Sequence, residues 1–363
     1  MLIKNIPSCL GCHLLFALCL TTAAETRPQY QHGSIKIEAA SDSEPFREHF
    51  SKEAAIGYLE NGAQAWTQDR QCISCHTNGS YLFIRPGLTA SLGKPNDDIR
   101  RFFANELRDL HKQSDERLRE GITPTQVAYL AAGLAEWDKH VVKQVSPETL
   151  DAIALLFRAQ REDGAFNNDD CWPPLESSAY HGATVAAMAL TALPEDTLTD
   201  HQRRQQQKLL EYLKTTPPPN AYHEVLLLWL AARIPTLMEP EKKARLIDQI
   251  RNKQHSDGGW SLRDFGTPES WAGGYRAEKL RSEKDFDSPA SDGHMTGLAV
   301  IVLRENEINR DEACIQNALR WIKTHQRQSG RWWTRSLNTD KQHFITYSAT
   351  CYALAALSLC EAL

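Results

Sequence analysis

The chain has 363 residues, 41 Lys and Arg against 46 Asp and Glu, and a net charge of −5. That charge balance argues against a nucleic-acid-binding protein, which usually presents a basic face. After residue 24 the sequence contains no run of about 18 apolar residues, so no transmembrane segment is predicted once an N-terminal signal is removed. At roughly 100–200 residues per domain, the length fits one large domain or two to three small ones.

The first 24 residues have the pattern of an export signal. Lys4 precedes an apolar run over residues 9–20, and small residues follow up to Ala24. This order predicts a signal peptide over 1–24 and a periplasmic or secreted mature protein, where disulfides are permitted. The alternative is a buried helix of a cytosolic protein. The polar residues 25–45 have no helical period and predict a linker.

The segment 46–120 is predicted to be helical and to carry the most specific motif of the chain. A helix over 52–68 leads into Cys72-Ile-Ser-Cys75-His76. C-x-x-C-H is the attachment pattern of c-type haem, in which two thiols bond the vinyl groups and the adjacent His ligates the iron. Cys72 and Cys75 are therefore the predicted haem-binding residues, and His76 the proximal ligand. A disulfide loop, a zinc half-site or a thioredoxin-like redox pair are the alternatives.

Three turns with a common pattern organise the region 121–363. Each has Gln, then Gly four residues later, then an aromatic residue two further on, and each lies between an amphipathic helix and an apolar helix rich in small residues. The Gly is predicted to end the helix in a conformation that other residues resist, the Gln to bond loose backbone groups, and the aromatic ring to pack back over the helix end. The three turns are Gln160–Phe166, Gln254–Trp260 and Gln326–Trp332.

Alternating outer and inner helices are expected from these patterns. Two further pairs fit with less regular turns. The predicted outer helices span 97–119, 147–161, 200–215, 239–255 and 309–327. The predicted inner helices span 123–138, 178–192, 221–234, 291–304 and 344–360.

These turns resemble the repeats of squalene-hopene cyclases and of protein prenyltransferase β subunits, over roughly residues 50–363. The resemblance implies an all-α fold, a single α/α toroid of alternating inner and outer helices, with 46–120 packed on 121–363 as one domain. Within 52–76, the chain also resembles exported bacterial proteins that join a C-x-x-C-H segment to such repeats.

The acidic and zinc motifs of those families are present only in part. The cyclases protonate their substrate from an acidic motif, whose nearest counterpart is Asn167–Asp170, and Asp292 lies at another helix start. The β subunits bind zinc through Asp-x-Cys and a distant His, which Asp169, Cys171 and His294 resemble. Asp169, Asp292 and His294 are accordingly the candidate acid–base residues of a non-haem enzyme.

Three histidines begin inner helices and would share one rim of a toroid: His181, His223 and His294. Imidazoles there are candidates for the distal haem ligand, for a metal site or for proton exchange. The leading hypothesis is an exported c-type haem protein for electron transfer or for redox chemistry on a small-molecule ligand in the toroid cavity. The alternatives are a terpene-cyclase-like or carbohydrate-active enzyme without haem, and a non-catalytic binding module.

Overall fold

A computed structural model describes residues 28–167, 172–175 and 178–363. Over these residues the fold is all-α apart from one short hairpin, in agreement with the predicted class. The predicted signal peptide lies outside the described residues. No helix in the described ranges is both long and apolar enough to cross a membrane.

The described chain begins with a hairpin instead of an irregular linker. Strands β1 (Tyr30–His32) and β2 (Ile35–Ile37) pair antiparallel, and both contact the first long helix. Tyr30 and Ile37 face each other in the hairpin and are buried. These two apolar side chains give an otherwise polar segment a surface to bury, which the absence of a helical period did not reveal.

The inner layer consists of apolar helices that are buried almost all round. Their predicted bounds are correct to within two residues, but the short helix after the C-x-x-C-H motif was missed because only seven residues form it. The inner helices are α2 (Asn78–Ile84), α6 (Thr123–Trp137), α8 (Ala179–Thr191), α10 (Ala221–Arg233), α13 (Gly293–Glu305) and α15 (Ile345–Leu359).

The outer helices are amphipathic or strongly polar, and they bury one side only. They are α1 (Lys52–Arg70), α4 (Asp97–Leu110), α7 (Pro147–Ala159), α9 (Asp200–Thr215), α11 (Pro240–Asn252) and α14 (Ala313–Thr324). Short helices α3 (Thr89–Leu92), α5 (Asp115–Leu118) and α12 (Ala277–Ser282) lie in the connections. The predicted helix over 97–119 is thus two helices, and Ser114 caps the second of them.

Each inner helix packs against the next one along the chain, from α2 through α6, α8, α10 and α13 to α15, and α15 returns to α2. The buried side chains of these helices belong to one continuous apolar core. Since an apolar helix must be covered on every side, this succession gives each one two inner neighbours and an outer cover.

The three repeated turns have the geometry predicted from the sequence. Gly164, Gly258 and Gly330 all have φ between +93° and +95°. The Gln four residues before each Gly donates its Nε2 to the carbonyl of that Gly and to a carbonyl at the next outer helix. The aromatic residues at the end of each turn are fully buried.

The third turn connects the carboxyl-terminal part of the chain to the start of α1. The Nε2 of Gln326 donates to the carbonyl of Ser51 over 2.9 Å, and the Oε1 of Gln326 accepts from the Ser51 amide over 2.7 Å. A Cβ on Gly330 would lie 2.2 Å from the carbonyl oxygen of Ala54. The last turn therefore docks on α1 in the same way that the first two turns dock on α9 and α14.

We expect Gly330→Ala to lower the free energy of unfolding by about 3 kcal/mol or more, because it adds a backbone clash to an unfavourable φ. Gly33→Ala is the matched control, since Gly33 also has a positive φ but nothing lies within 4 Å of its added Cβ. The control should lose about 1–2 kcal/mol. Equal losses in urea titrations of the two variants would contradict a tight contact between the last turn and α1.

Candidate functional site

The C-x-x-C-H loop lies between α1 and α2, against the amino end of α6. The amide of Ser74 donates to Asn78 Oδ1 over 2.8 Å, and Asn78 Nδ2 donates to the carbonyl of Cys72 over 3.0 Å. Gln126 of α6 donates to the carbonyl of Ile73 over 3.2 Å. Side-chain amides therefore replace the helical bonds that this loop lacks, and they fix its backbone.

His76 is held between two aromatic rings. It stacks on Phe344, with ring centroids 4.8 Å apart, and meets the edge of Trp66 at the same distance. Its Nδ1 is 2.8 Å from the hydroxyl of Thr77. Burial lowers the pKa of His76 to about 3, so the imidazole is neutral at physiological pH.

The donor set fits haem attachment, but the space beside it is small. Cys72 is half-buried and Cys75 is buried. A cavity of about 20 Å³ lies against Cys75 and His76, covered by Trp172–Leu175. That volume holds about one water molecule. Two thiols and a neutral, oriented imidazole are the groups that c-type haem requires, but the macrocycle would have to displace the Trp172–Leu175 segment.

Asp292 is tied to its surroundings by hydrogen bonds. It is the N-cap of α13, accepts from the amide of Met295 over 2.9 Å, and accepts from the amide of Leu262 over 2.6 Å. Burial raises the pKa of Asp292, and these two amide bonds oppose the rise. Its contacts are those of a cap that also anchors the long loop before α13. Its acid–base role stays a prediction, and Asp169 and Cys171 lie outside the described residues.

The three predicted histidines do begin inner helices, and all three are buried. His181 Nε2 is 3.1 Å from the hydroxyl of Tyr129, and the ring centroids of His181 and His223 are 6.3 Å apart. Both ring nitrogens of His294 meet hydroxyl groups, those of Tyr222 at 3.0 Å and Ser348 at 3.1 Å.

Burial lowers the pKa of each of these histidines, to about 3 for His223 and His294, so the rings are neutral hydrogen-bonding groups. Within the described ranges, no group of three or more His, Cys, Asp or Glu side chains is arranged to hold a metal ion. The Nδ1 of His181 is buried and has no hydrogen-bond partner among the described residues. The role of His181, His223 and His294 as distal haem ligands stays a prediction.

A larger cavity, which the sequence analysis missed, lies at the opposite ends of the inner helices. Its volume is about 810 Å³, and residues from the carboxyl-terminal part of every inner helix line it. Its charged residues are hard to recognise in sequence, because Glu136, Arg233 and Glu305 lie at the ends of apolar helices far apart in the chain. The available signal was a charged residue in the last turn of three of the inner helices, α6, α10 and α13.

Arg233 connects the two carboxylates of this cavity. Its Nε and Nη2 donate to Glu305 over 3.1 and 3.2 Å, and its Nη1 donates to Glu136 over 3.1 Å. His140 Nε2 lies 3.0 Å from the other carboxylate oxygen of Glu136. Burial alone would raise the pKa of Glu136, but the bond to His140 and the charge of Arg233 bring it below its usual value, so Glu136 is ionised.

No protein-family model matches the chain, and no curated protein matches it significantly.

The buried histidines predict a loss of stability in acid. The pKa of His294 is about 3 when folded and about 6.5 when unfolded, so the unfolded chain binds more protons between these values. The contribution of the neutral His294 to the free energy of unfolding is complete above about pH 6.5. It is lost as the pH falls towards 3, by about 1.4 kcal/mol per pH unit.

His294→Gln should therefore reduce the difference in unfolding free energy between pH 7 and pH 5 by about 2 kcal/mol, measured by urea denaturation at both values. His49, whose side chain is 88% exposed, supplies the control variant His49→Gln. If both variants keep the pH dependence of the parent protein, His294 is not a buried neutral group.

Proposed function

We propose that the chain is a single α/α toroid. The support is the succession of inner contacts from α2 to α15 and back to α2, together with the docking of Gln326 on Ser51. In this arrangement, the C-x-x-C-H loop and the three histidines lie at the amino ends of the inner helices, and the cavity of about 810 Å³ lies at their carboxyl ends.

We further propose an exported c-type haem protein that acts in electron transfer or in redox chemistry on a small molecule held by the toroid. The observation that carries the proposal is the donor set itself: Cys72 and Cys75 followed by a His76 that is neutral and oriented. Bound haem would supply one-electron chemistry, at a potential set by its axial ligand and by burial.

The residues of the chain have separate parts in this proposal. Cys72 and Cys75 would each add across one vinyl group, forming a thioether while the thiol proton passes to the vinyl carbon. His76 would ligate the iron through Nε2, because its Nδ1 is engaged by Thr77, and such an outer contact fixes the orientation of a ligating ring. Trp66 and Phe344 hold the imidazole plane.

A second candidate is a binding module without haem, and the cavity of about 810 Å³ favours it. Its size is in the range of small-molecule sites, and its lining combines apolar side chains with charged groups. The two candidates differ in whether covalent haem is present.

The deciding measurement is the absorption spectrum of the full-length protein after co-expression with the cytochrome c maturation machinery. We expect a Soret band that persists after denaturation and acetone extraction. Cys72→Ala/Cys75→Ala should abolish it, because no thioether can then form.

Cys314→Ala is the matched control, since Cys314 is also a half-buried thiol but lies in α14. It should keep the full band. A parent protein without covalent haem would exclude the haem proposal and leave the binding module.

A further inference from the structure

The cavity at the carboxyl ends of the inner helices has an apolar wall and a charged patch. The wall is built from side chains of several inner helices and their connections, including Phe83, Leu88, Leu190, Trp229, Ile301 and Leu359. The charged patch is the Glu136–Arg233–Glu305 cluster with His140 beside it. An apolar wall beside a charged patch favours a ligand that is itself amphipathic.

The charged patch has an excess of negative charge. Two carboxylates face one guanidinium, and the exposed Lys139 and Glu195 at the rim carry opposite charges, which leaves a net charge of −1 beside a neutral His140. Glu136 is 96% buried, so its charge is poorly screened by water. The cluster therefore attracts a positive group and repels a negative one.

The backbone of the inner helices adds to the negative potential in the cavity. Four inner helices, α8, α10, α13 and α15, end at this cavity, and the carboxyl end of a helix carries partial negative charge. Each helix end contributes only a small amount, but four ends converge on one space. The helix ends and the carboxylates thus both favour a positively charged ligand.

The donors of Arg233 are already used. All three of its nitrogens bond Glu136 or Glu305, and its guanidinium lies 5.6 Å from the ring centroid of Trp229. A carboxylate or phosphate ligand would have to break these bonds and face two carboxylates. All four carboxylate oxygens of Glu136 and Glu305 already meet Arg233 or His140, but a carboxylate oxygen can accept a second hydrogen bond, so an ammonium group can share these oxygens.

We propose that this cavity binds an amphipathic organic cation, with an ammonium group beside Glu136 and Glu305 and an apolar body against Leu190 and Ile301. The ammonium group would lie where two carboxylates and four helix ends converge, and the apolar body would cover surface that water otherwise contacts. This site lies at the opposite ends of the inner helices from the C-x-x-C-H loop, and binding there does not depend on haem.

The test is isothermal titration of the full-length protein with three ten-carbon probes below their micelle concentrations: decylammonium, decanol and decanoate. We expect one decylammonium per chain, bound at least tenfold more tightly than decanol, with decanoate weaker still. Raising the salt concentration should weaken decylammonium binding and leave decanol binding unchanged, since only the charged probe is attracted electrostatically. This salt comparison needs no variant.

Three variants locate the site. Glu305→Gln should lower the affinity for decylammonium about tenfold and leave that for decanol unchanged. Glu211→Gln is the matched control, because Glu211 is exposed on α9 and does not line the cavity. Ala355→Phe, which adds a ring to the cavity wall, should weaken binding of both decylammonium and decanol. Thermal unfolding curves of the variants serve to check that each one is folded.

Decylammonium that binds no better than decanol would overturn the proposal, as would tighter binding of decanoate. Binding that survives Ala355→Phe unchanged would place the ligand elsewhere and would overturn it too. Repeating the titration with Cys72→Ala/Cys75→Ala separates this proposal from the haem proposal, because loss of haem should leave decylammonium binding intact.

Discussion

Helices without a polar face must be covered on all sides, and the rest of this structure follows from that constraint. Helices such as α6 and α15 are apolar around their whole circumference and cannot lie at a surface. Each is therefore flanked by two similar helices and covered by an amphipathic one. The turns that join the two layers are short. Their Gly residues allow the tight bend of the backbone, and their Gln residues bond the carbonyl groups left free at the helix ends. The Gln side chain satisfies carbonyl groups on two elements at once.

Much of this architecture could be predicted from the sequence because its signals are local. A Gly at a fixed distance from a Gln reports a helix end, and the periodicity on each side reports which layer the helix joins. Helix α2 was missed because seven residues are too few to show a period, and the hairpin at Tyr30 was missed because two buried residues in a polar segment are a weak signal. The all-α class depended on neither of these.

The sites were less accessible to sequence reasoning. His181, His223 and His294 were correctly placed at helix starts, but the sequence gives no measure of how closely hydroxyl groups would enclose them. Asp292 was selected as an acid, and its amide bonds became visible only once Leu262 and Met295 were in place. The cavity at the other end depends on Glu136, Arg233 and Glu305, which are separated by up to 169 residues along the chain and meet only after every inner helix has packed.

The contact between Gln326 and Ser51 has a consequence for biosynthesis. These residues are 275 positions apart, so α1 emerges from the ribosome long before the turn that covers it. At about 5–20 residues per second, that interval is on the order of tens of seconds. During it, the apolar side of α1 and the edge of α2 lack their final neighbour α15. A nascent chain of this protein therefore exposes apolar surface of α1 and α2 until its last helix has been made, and a chain truncated before residue 326 would lack the cover of α15 altogether.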